Sequence, residues 1–177
     1  QRMMRDARLQ QAKVGLVPVS QRLFDLYSNS GMHPIGILPD LPDIDLIREV
    51  RGQDIPKEID SVIWVGNSAW GKRQGYVDHK GLQSKFEPFL GLAVQSNPSL
   101  KSVTIDSSSN RVNQGEVLRS LAGSELLIVT SHSEGTGLPI LEALGVGTNV
   151  LSTDVGITNL LSAVRVLPTD STPKDFL

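Results

Sequence analysis

Apolar positions along this chain follow two spacings, and the two alternate. "SVIWVGN" (61–67) is an apolar run closed by a glycine, the pattern of a strand buried on both faces. The next segment places Leu82, Phe86, Phe89, Leu90 and Ala93 on one helical face. "SVTID" (102–106) reads as a second strand, and "GEVLRSLAGS" as a helix with Val117, Leu118 and Leu121 on one side and Gly123 at its end. "ELLIVT", "NVLST" and "AVRVLP" supply three further strands, with "LPILEALG" and "ITNLL" as short helices between them. Strands separated by helices predict an α/β fold with a doubly wound, Rossmann-like parallel sheet, because right-handed crossovers lay the helices on its faces.

Before residue 60 the pattern weakens. "KVGLVPVS" and "HPIGIL" are candidate strands around a helix "QRLFDLYSN", whose Leu23, Leu26 and Tyr27 form an apolar stripe. "LPDLPDIDLIREVRGQDIPKEID" is rich in proline and aspartate and reads as a linker or extended crossing segment. At the other end "TDSTPKDFL" carries a helix start, with Ser171 or Thr172 as N-cap and Pro173 in the first turn. A helix of one turn has no independent stability, and the chain opens on Gln1 in a polar segment. We therefore expect a piece of a longer protein, divided into 1–60 and a C-terminally truncated domain 61–177.

Composition narrows the classes. A formal net charge of −2, with 39% hydrophobic and 20% charged residues, argues against a nucleic-acid binder held by bulk charge. No apolar run is long enough to span a bilayer, and no signal-peptide pattern is present. The absence of cysteine removes disulfides and thiolate metal sites. His33, His79 and His132 are scattered, with no carboxylate or cysteine spacing to support a metal site, so no metal is expected. Trp64 and Trp70 are assigned to core and loop packing.

The informative stretch is "SHSEGTGLPILEALGVGTNVLSTDVG" (131–156). It follows a strand and opens a helix, the place where open parallel sheets bind ligands. Gly135 and Gly137 let the backbone approach a ligand and tolerate positive φ, and Pro139 fits the first helical turn. The free N–H groups of that turn form an anion site reinforced by the helix dipole. Glu134 precedes it and Glu142 lies one turn inside; eight helical residues would separate them by roughly 12 Å. Hydroxyls at both ends of a ligand with an anion between would satisfy all three features: Glu142 on a ribose diol, the helix terminus on a diphosphate, Glu134 on sugar hydroxyls. Two carboxylates repel a diphosphate, so a cation is needed, and "HKGL" supplies Lys80.

These residues resemble the donor-binding signature of retaining, nucleotide-sugar-dependent glycosyltransferases of the GT-B fold, the family-4 or group-1 type. Two glutamates separated by seven residues flank a glycine turn, then "G-T-x-V" and an aspartate-glycine loop: Glu134, Gly135, Gly137, Leu138, Glu142, Gly147, Thr148, Val150, Asp154 and Gly156. "WVGN" with "KGL" is similar to the family's first strand and its lysine-glycine pair. The resemblance implies that 1–60 is the end of an acceptor domain with the interdomain linker, and 61–177 the C-terminal, nucleotide-sugar-binding half. It implies catalytic roles for Glu134 and Lys80, and donor contacts from Gly66, Asn67, Lys80, Val112, Glu134, Gly135, Thr136, Gly137, Leu138 and Glu142, with the base near Val112. It further implies transfer of a hexose with retention, without metal or any cofactor beyond the nucleotide-sugar substrate, to a saccharide or lipid-linked acceptor held by the N-terminal half. The setting would be surface polysaccharide or glycoconjugate synthesis in the cytoplasm, with peripheral contact at the membrane face and no nucleic-acid partner. The fragment alone is expected to be inactive.

Two departures bear on this reading. Asn67 stands where the family carries arginine, and a neutral amide does not replace that charge. The loop "NSAWGKRQGYVDH" is longer than the family's, and Lys72 or Arg73 is a candidate second cation. Three alternatives stay open: a non-catalytic nucleotide-sugar-binding subunit, a nucleotide-sugar 2-epimerase of the same fold, and an NAD-dependent oxidoreductase. The last is disfavoured because Ile140 stands in place of the third glycine of the dinucleotide loop.

Overall fold

The structure, a computed structural model, describes residues 15–72 and 75–177. Arg73 and the start of "KVGLVPVS" lie outside the described residues. The chain forms two units, Gln1–Asp40 and Leu41–Leu177.

In the first unit, helix α1 (Gln21–Asn29) starts at Ser20, whose hydroxyl accepts the Leu23 N–H. Its apolar stripe is not buried: no residue of α1 is. Among the described residues the two candidate strands form no ladder beyond a parallel bridge between Leu16 and Pro34, with bonds from Ile35 N–H to Leu16 O and Leu38 N–H to Pro18 O. Pro18 and Pro34 each lack the N–H that a longer ladder needs.

The second unit begins with helix α2 (Ile44–Arg51), inside the segment expected to be linker. Asp43 caps it by accepting the Leu46 N–H, and only Ile47 and Val50 are buried. A stripe of two residues among aspartates and prolines is too narrow to show as periodicity. Gly145 makes room for it, since a Cβ there would lie 3.0 Å from Ile47.

Then follow β1 (Glu58–Gly66), a π-helical turn (Leu82–Phe86) running into α3 (Glu87–Ser96), β2 (Lys101–Asp106), α4 (Gln114–Gly123), β3 (Ser124–Val129), α5 (Leu138–Val146), β4 (Asn149–Thr153) and β5 (Val164–Leu167). Short 3-10 turns occupy Thr158–Leu160 and Pro173–Phe176; Thr172 and Asp175 cap the second reciprocally. The five strands are parallel, in the order β2-β1-β3-β4-β5. The expected doubly wound α/β sheet is what forms.

Alternation along the strands builds two cores. Ile63, Leu127, Val129 and Val150 pack on one face with residues of α2, α4 and α5. Val62, Trp64, Ile128 and Leu151 pack on the other with Leu82, Phe86, Phe89 and Phe176. Burial on both faces explains why these strands read as continuous apolar runs. From β1 the chain crosses to β2 on one side, then returns to β3 on the other. The topological switch point therefore lies between β1 and β3, with a crevice beyond their carboxyl ends. Among the described residues, no helix is long and apolar enough to cross a membrane.

Candidate functional site

Two loops leave the sheet at the switch point, 67–81 after β1 and 130–137 after β3. Their backbones are tied together. The N–H of His132 donates to His79 O (3.0 Å), and His79 Nε2 lies 3.1 Å from Ser133 O. Thr130 Oγ1 donates to Lys80 O (2.8 Å) and accepts the buried indole N–H of Trp64 (3.1 Å). Gly81, at φ +70°, permits this approach: a Cβ would stand 2.3 Å from Thr130 O.

This brace brings Lys80 to Glu134. The ammonium lies 2.5 and 2.7 Å from the two carboxylate oxygens, and Ser131 Oγ donates to Oε1 at 2.6 Å. Both charged side chains are largely buried, 17% and 16% exposed, so their attraction is screened less than at an open surface. The ammonium also stands over the Trp70 ring, 5.7 Å from its centroid.

Helix α5 begins on Gly137, at φ +89°. Pro139 has no N–H and that of Ile140 is bonded to Gly137 O, leaving the amides of Gly137 and Leu138 as the donors of this turn. Thr136 is buried, and its carbonyl accepts the Ile157 N–H (3.2 Å). Gly156, at φ +56°, passes so close that a Cβ would meet Thr136 O at 2.2 Å. At the far end of α5 Gly147 adopts φ +85°, and Thr148 Oγ1 donates to Leu121 O. Asp154 accepts the Thr158 hydroxyl (3.1 Å). Gly147, Thr148 and Gly156 thus brace the loop and helix.

Glu142 lies apart from the ion pair. It is 7% exposed, and Gln114, at the start of α4, donates to its Oε1 at 2.7 Å. Burial pushes its carboxyl above the usual range, and the Gln114 amide offsets only part of that. Val112, two residues before Gln114, is partly buried against the core. Gly66 ends β1; its carbonyl accepts the Ser107 N–H, and a Cβ would meet the Trp64 ring at 2.6 Å. Asn67 Oδ1 accepts the Ala69 N–H (3.0 Å), a turn that starts the loop. Lys72 is exposed.

The neighbouring Asp106, at the end of β2, resolves its burial differently. Burial pushes its carboxyl up, but hydrogen bonds from the hydroxyls and amides of Ser68 and Ser108 pull it below the usual range. Beneath the site Lys85 is buried and donates to Thr169 O, and burial lowers its ammonium despite Asp170 and Asp78. Burial also lowers His132, helped by Lys85 and His79. No group of three or more His, Asp or Glu able to hold a metal occurs among the described residues.

Sequence reasoning missed two partners. Ser131 was readable as a hydroxyl three residues ahead of Glu134. Gln114 carries no local signal, because 28 residues separate it from Glu142. Trp70, Tyr76 and His79 form an aromatic cluster where loop packing was expected for Trp70 alone.

Comparison with known proteins adds to this geometry. Residues 108–161, which hold α4, β3, Glu134, α5 and β4, match the family described as Glycosyl transferases group 1. No curated protein matches the chain. Among solved structures, sucrose-phosphate synthase from Thermosynechococcus elongatus shares 15% identity at a TM-score of 0.58, over 96% of this chain and 49% of that one. WaaG, a glycosyltransferase involved in lipopolysaccharide biosynthesis, shares 16% at 0.53, over 94% and 52%. A chain of the GtfA/B complex shares 16% at 0.59, over 88% and 34%. The fold is that of GT-B glycosyltransferases. The chain spans about half the length of two of these structures and about a third of the other.

Proposed function

We propose that this chain is the donor-binding part of a retaining glycosyltransferase that moves a hexose from a nucleoside diphosphate to a saccharide or lipid-linked acceptor. The observation that carries the reading is the convergence of Lys80 and Glu134 at the mouth of α5, inside a sheet whose 108–161 segment matches group-1 glycosyl transferases. Glu142 would accept the hydroxyls of the ribose, with the base toward Val112. The amides of Gly137 and Leu138 and the α5 dipole would face the diphosphate, beside Gly135 and Thr136.

Without a ligand, Lys80 and Glu134 satisfy one another. An incoming diphosphate offers the ammonium a second anion, and Lys80 can shift toward it while Ser131 continues to hold Glu134. Glu134 then has an oxygen free for a sugar hydroxyl. As the bond from the anomeric carbon to the diphosphate breaks, negative charge grows on the leaving phosphate. An ammonium already drawn to the phosphates on binding, and a helix terminus, stabilise such charge without reorganising further, which is where catalysis gains most. In this reading they take the part a divalent cation has elsewhere. The acceptor would come from the rest of a longer protein, in the cytoplasm, at the membrane face if it is lipid-linked.

A second reading is favoured by Asn67, whose side chain closes a loop turn and brings no charge to the phosphates: a subunit that binds nucleotide sugar without turning it over. One experiment tests both. A thermal-shift panel of UDP, GDP, ADP and dTDP, with their hexose conjugates, should raise the melting temperature for one base, since a ligand of the folded form stabilises by mass action. No shift with any of them would remove the donor site. Product formation by a longer form holding the acceptor half then separates transferase from binding subunit.

A further inference from the structure

The loop that leaves β1 ends in a surface the proposed donor site does not use. Trp70 and Tyr76 lie nearly parallel, at 23° with ring centroids 6.4 Å apart. Both pack on His79, at 4.5 and 5.1 Å between centroids. His79 is buried and Nε2 lies 3.1 Å from Ser133 O, so the aromatic group is fastened to the loop that carries Glu134. Gly71 and Gly75, at φ +78° and +83°, shape the turn, and the N–H of Tyr76 bonds back to Gly71 O. Trp70 and Tyr76 nevertheless stay 51% and 53% exposed. Two large rings held over a buried imidazole, half open to solvent, lose little side-chain entropy when something lies on them.

Three further features limit what that something is. The Lys80 ammonium stands 5.7 Å from the Trp70 centroid, so the Trp70 ring adjoins the Lys80–Glu134 pair. A ligand there meets an apolar ring face beside a carboxylate and an ammonium. A pyranose fits that chemistry: one face presents C–H groups, and its equatorial hydroxyls reach a carboxylate at the edge. A nucleobase would stack equally well, but in the proposed donor site Glu142, bonded to Gln114 and not to this pair, takes the ribose and would draw the base with it.

We propose that Trp70 and Tyr76 form a platform for a pyranose ring beside Lys80 and Glu134, and that it fixes which sugar the site accepts. The proposal rests on the donor-site reading for its setting. The ring is either the donor's hexose or the first residue of the acceptor saccharide, and the test distinguishes them.

Trp70→Ala, Trp70→Phe and Tyr76→Ala variants of the full chain would be titrated calorimetrically. The first arm compares the best-binding diphosphate among UDP, GDP, ADP and dTDP with its glucose, galactose and mannose conjugates. The second adds methyl hexopyranosides and short oligosaccharides, to the diphosphate complex and to the free chain. If the platform holds the donor hexose, Trp70→Ala leaves diphosphate affinity within about twofold and weakens the conjugate at least fivefold, with Trp70→Phe recovering most of it. If it holds the acceptor, the conjugate is unaffected and the saccharide arm shows the loss. Equal loss for diphosphate and conjugate overturns the proposal in favour of base stacking or loop support. Unchanged affinities in both arms overturn it in favour of packing alone. Should no diphosphate bind, the donor-site reading fails, and saccharide binding to the free chain, lost or kept in Trp70→Ala, decides the platform.

Discussion

Glu134 and Glu142 belong to one loop-and-helix segment, yet the fold treats them in opposite ways. Glu134 is clasped by an ammonium and a hydroxyl. Glu142 is more deeply buried and has one neutral amide. A buried carboxylate is held ionised either by a cation or by several donors, and Asp106, with its two serines at the end of β2, shows the second solution. Glu142 has neither, so its charge is under-compensated in the unliganded protein. The Glu134 corner is complete without ligand; the Glu142 corner is a place where ligand hydroxyls would add what is missing. Three perturbations sharpen that contrast.

The largest effect should come from Gly81, on which the completed corner depends. Gly81→Ala puts a Cβ 2.3 Å from Thr130 O at a left-handed φ, so the 79–81 backbone must move away from Thr130. Backbone strain and overpacking together should lower stability by about 2–5 kcal/mol in urea unfolding. The Lys80–Glu134 pair should separate, whereas Gln114 and Glu142, held by α4 and α5, should stay paired. A stability change within about 0.5 kcal/mol, the range of ordinary surface substitutions, would show that the loops are not braced there.

That dependence marks what was legible in the sequence. The β-strands were, because burial on both faces leaves unbroken runs such as "ELLIVT", and so was the glycine-framed pair of glutamates. The α2 helix was not, since burying only Ile47 and Val50 leaves no periodic trace. Nor was the use of Gly81: its "KG" spacing pointed to a lysine, whereas the glycine's need arises from Thr130, brought beside it only by the sheet order. The Gln114–Glu142 bond is of the same kind. Local spacing reveals roles that are local; partners set by a crossover need the fold.

A smaller effect is expected from Lys80→Ala, which leaves Glu134 with Ser131 alone. Removing one partner of a largely buried pair strands the other charge, and a cost of about 1–3 kcal/mol is expected. The Lys80→Ala/Glu134→Ala double variant should recover part of it, giving a coupling energy between neighbours that additive sites lack. Diphosphate affinity should fall in both, and more than affinity for the parent nucleoside. If the double variant is no more stable than the sum of the singles, the corner is not a coupled unit.

The smallest effect on stability, and the one that separates the two glutamates most sharply, is expected from Glu142→Gln. Because burial raises the Glu142 pKa, the folded state holds its proton more tightly than the unfolded chain does. The stability linked to that proton is therefore fully present below the ordinary carboxylate range and is lost as pH rises through the raised folded value. Above that raised value the parent carries the penalty of the buried charge; a glutamine of the same shape does not, and can still bond Gln114. Glu142→Gln should thus melt slightly higher than the parent at pH 7–8, with the gap closing as the pH is lowered below the ordinary carboxylate range. Glu134→Gln should melt lower at neutral pH, because it gives up a cation and not a penalty. Adding the binding diphosphate should reverse the order at Glu142: the parent's carboxylate gains the ribose hydroxyls as charge-assisted bonds, worth about 1.5–3 kcal/mol, and the glutamine does not. A parent that stays ahead of Glu142→Gln without ligand across this pH range would mean that the buried carboxylate is already compensated, and that the two corners do not differ in the way their hydrogen bonds imply.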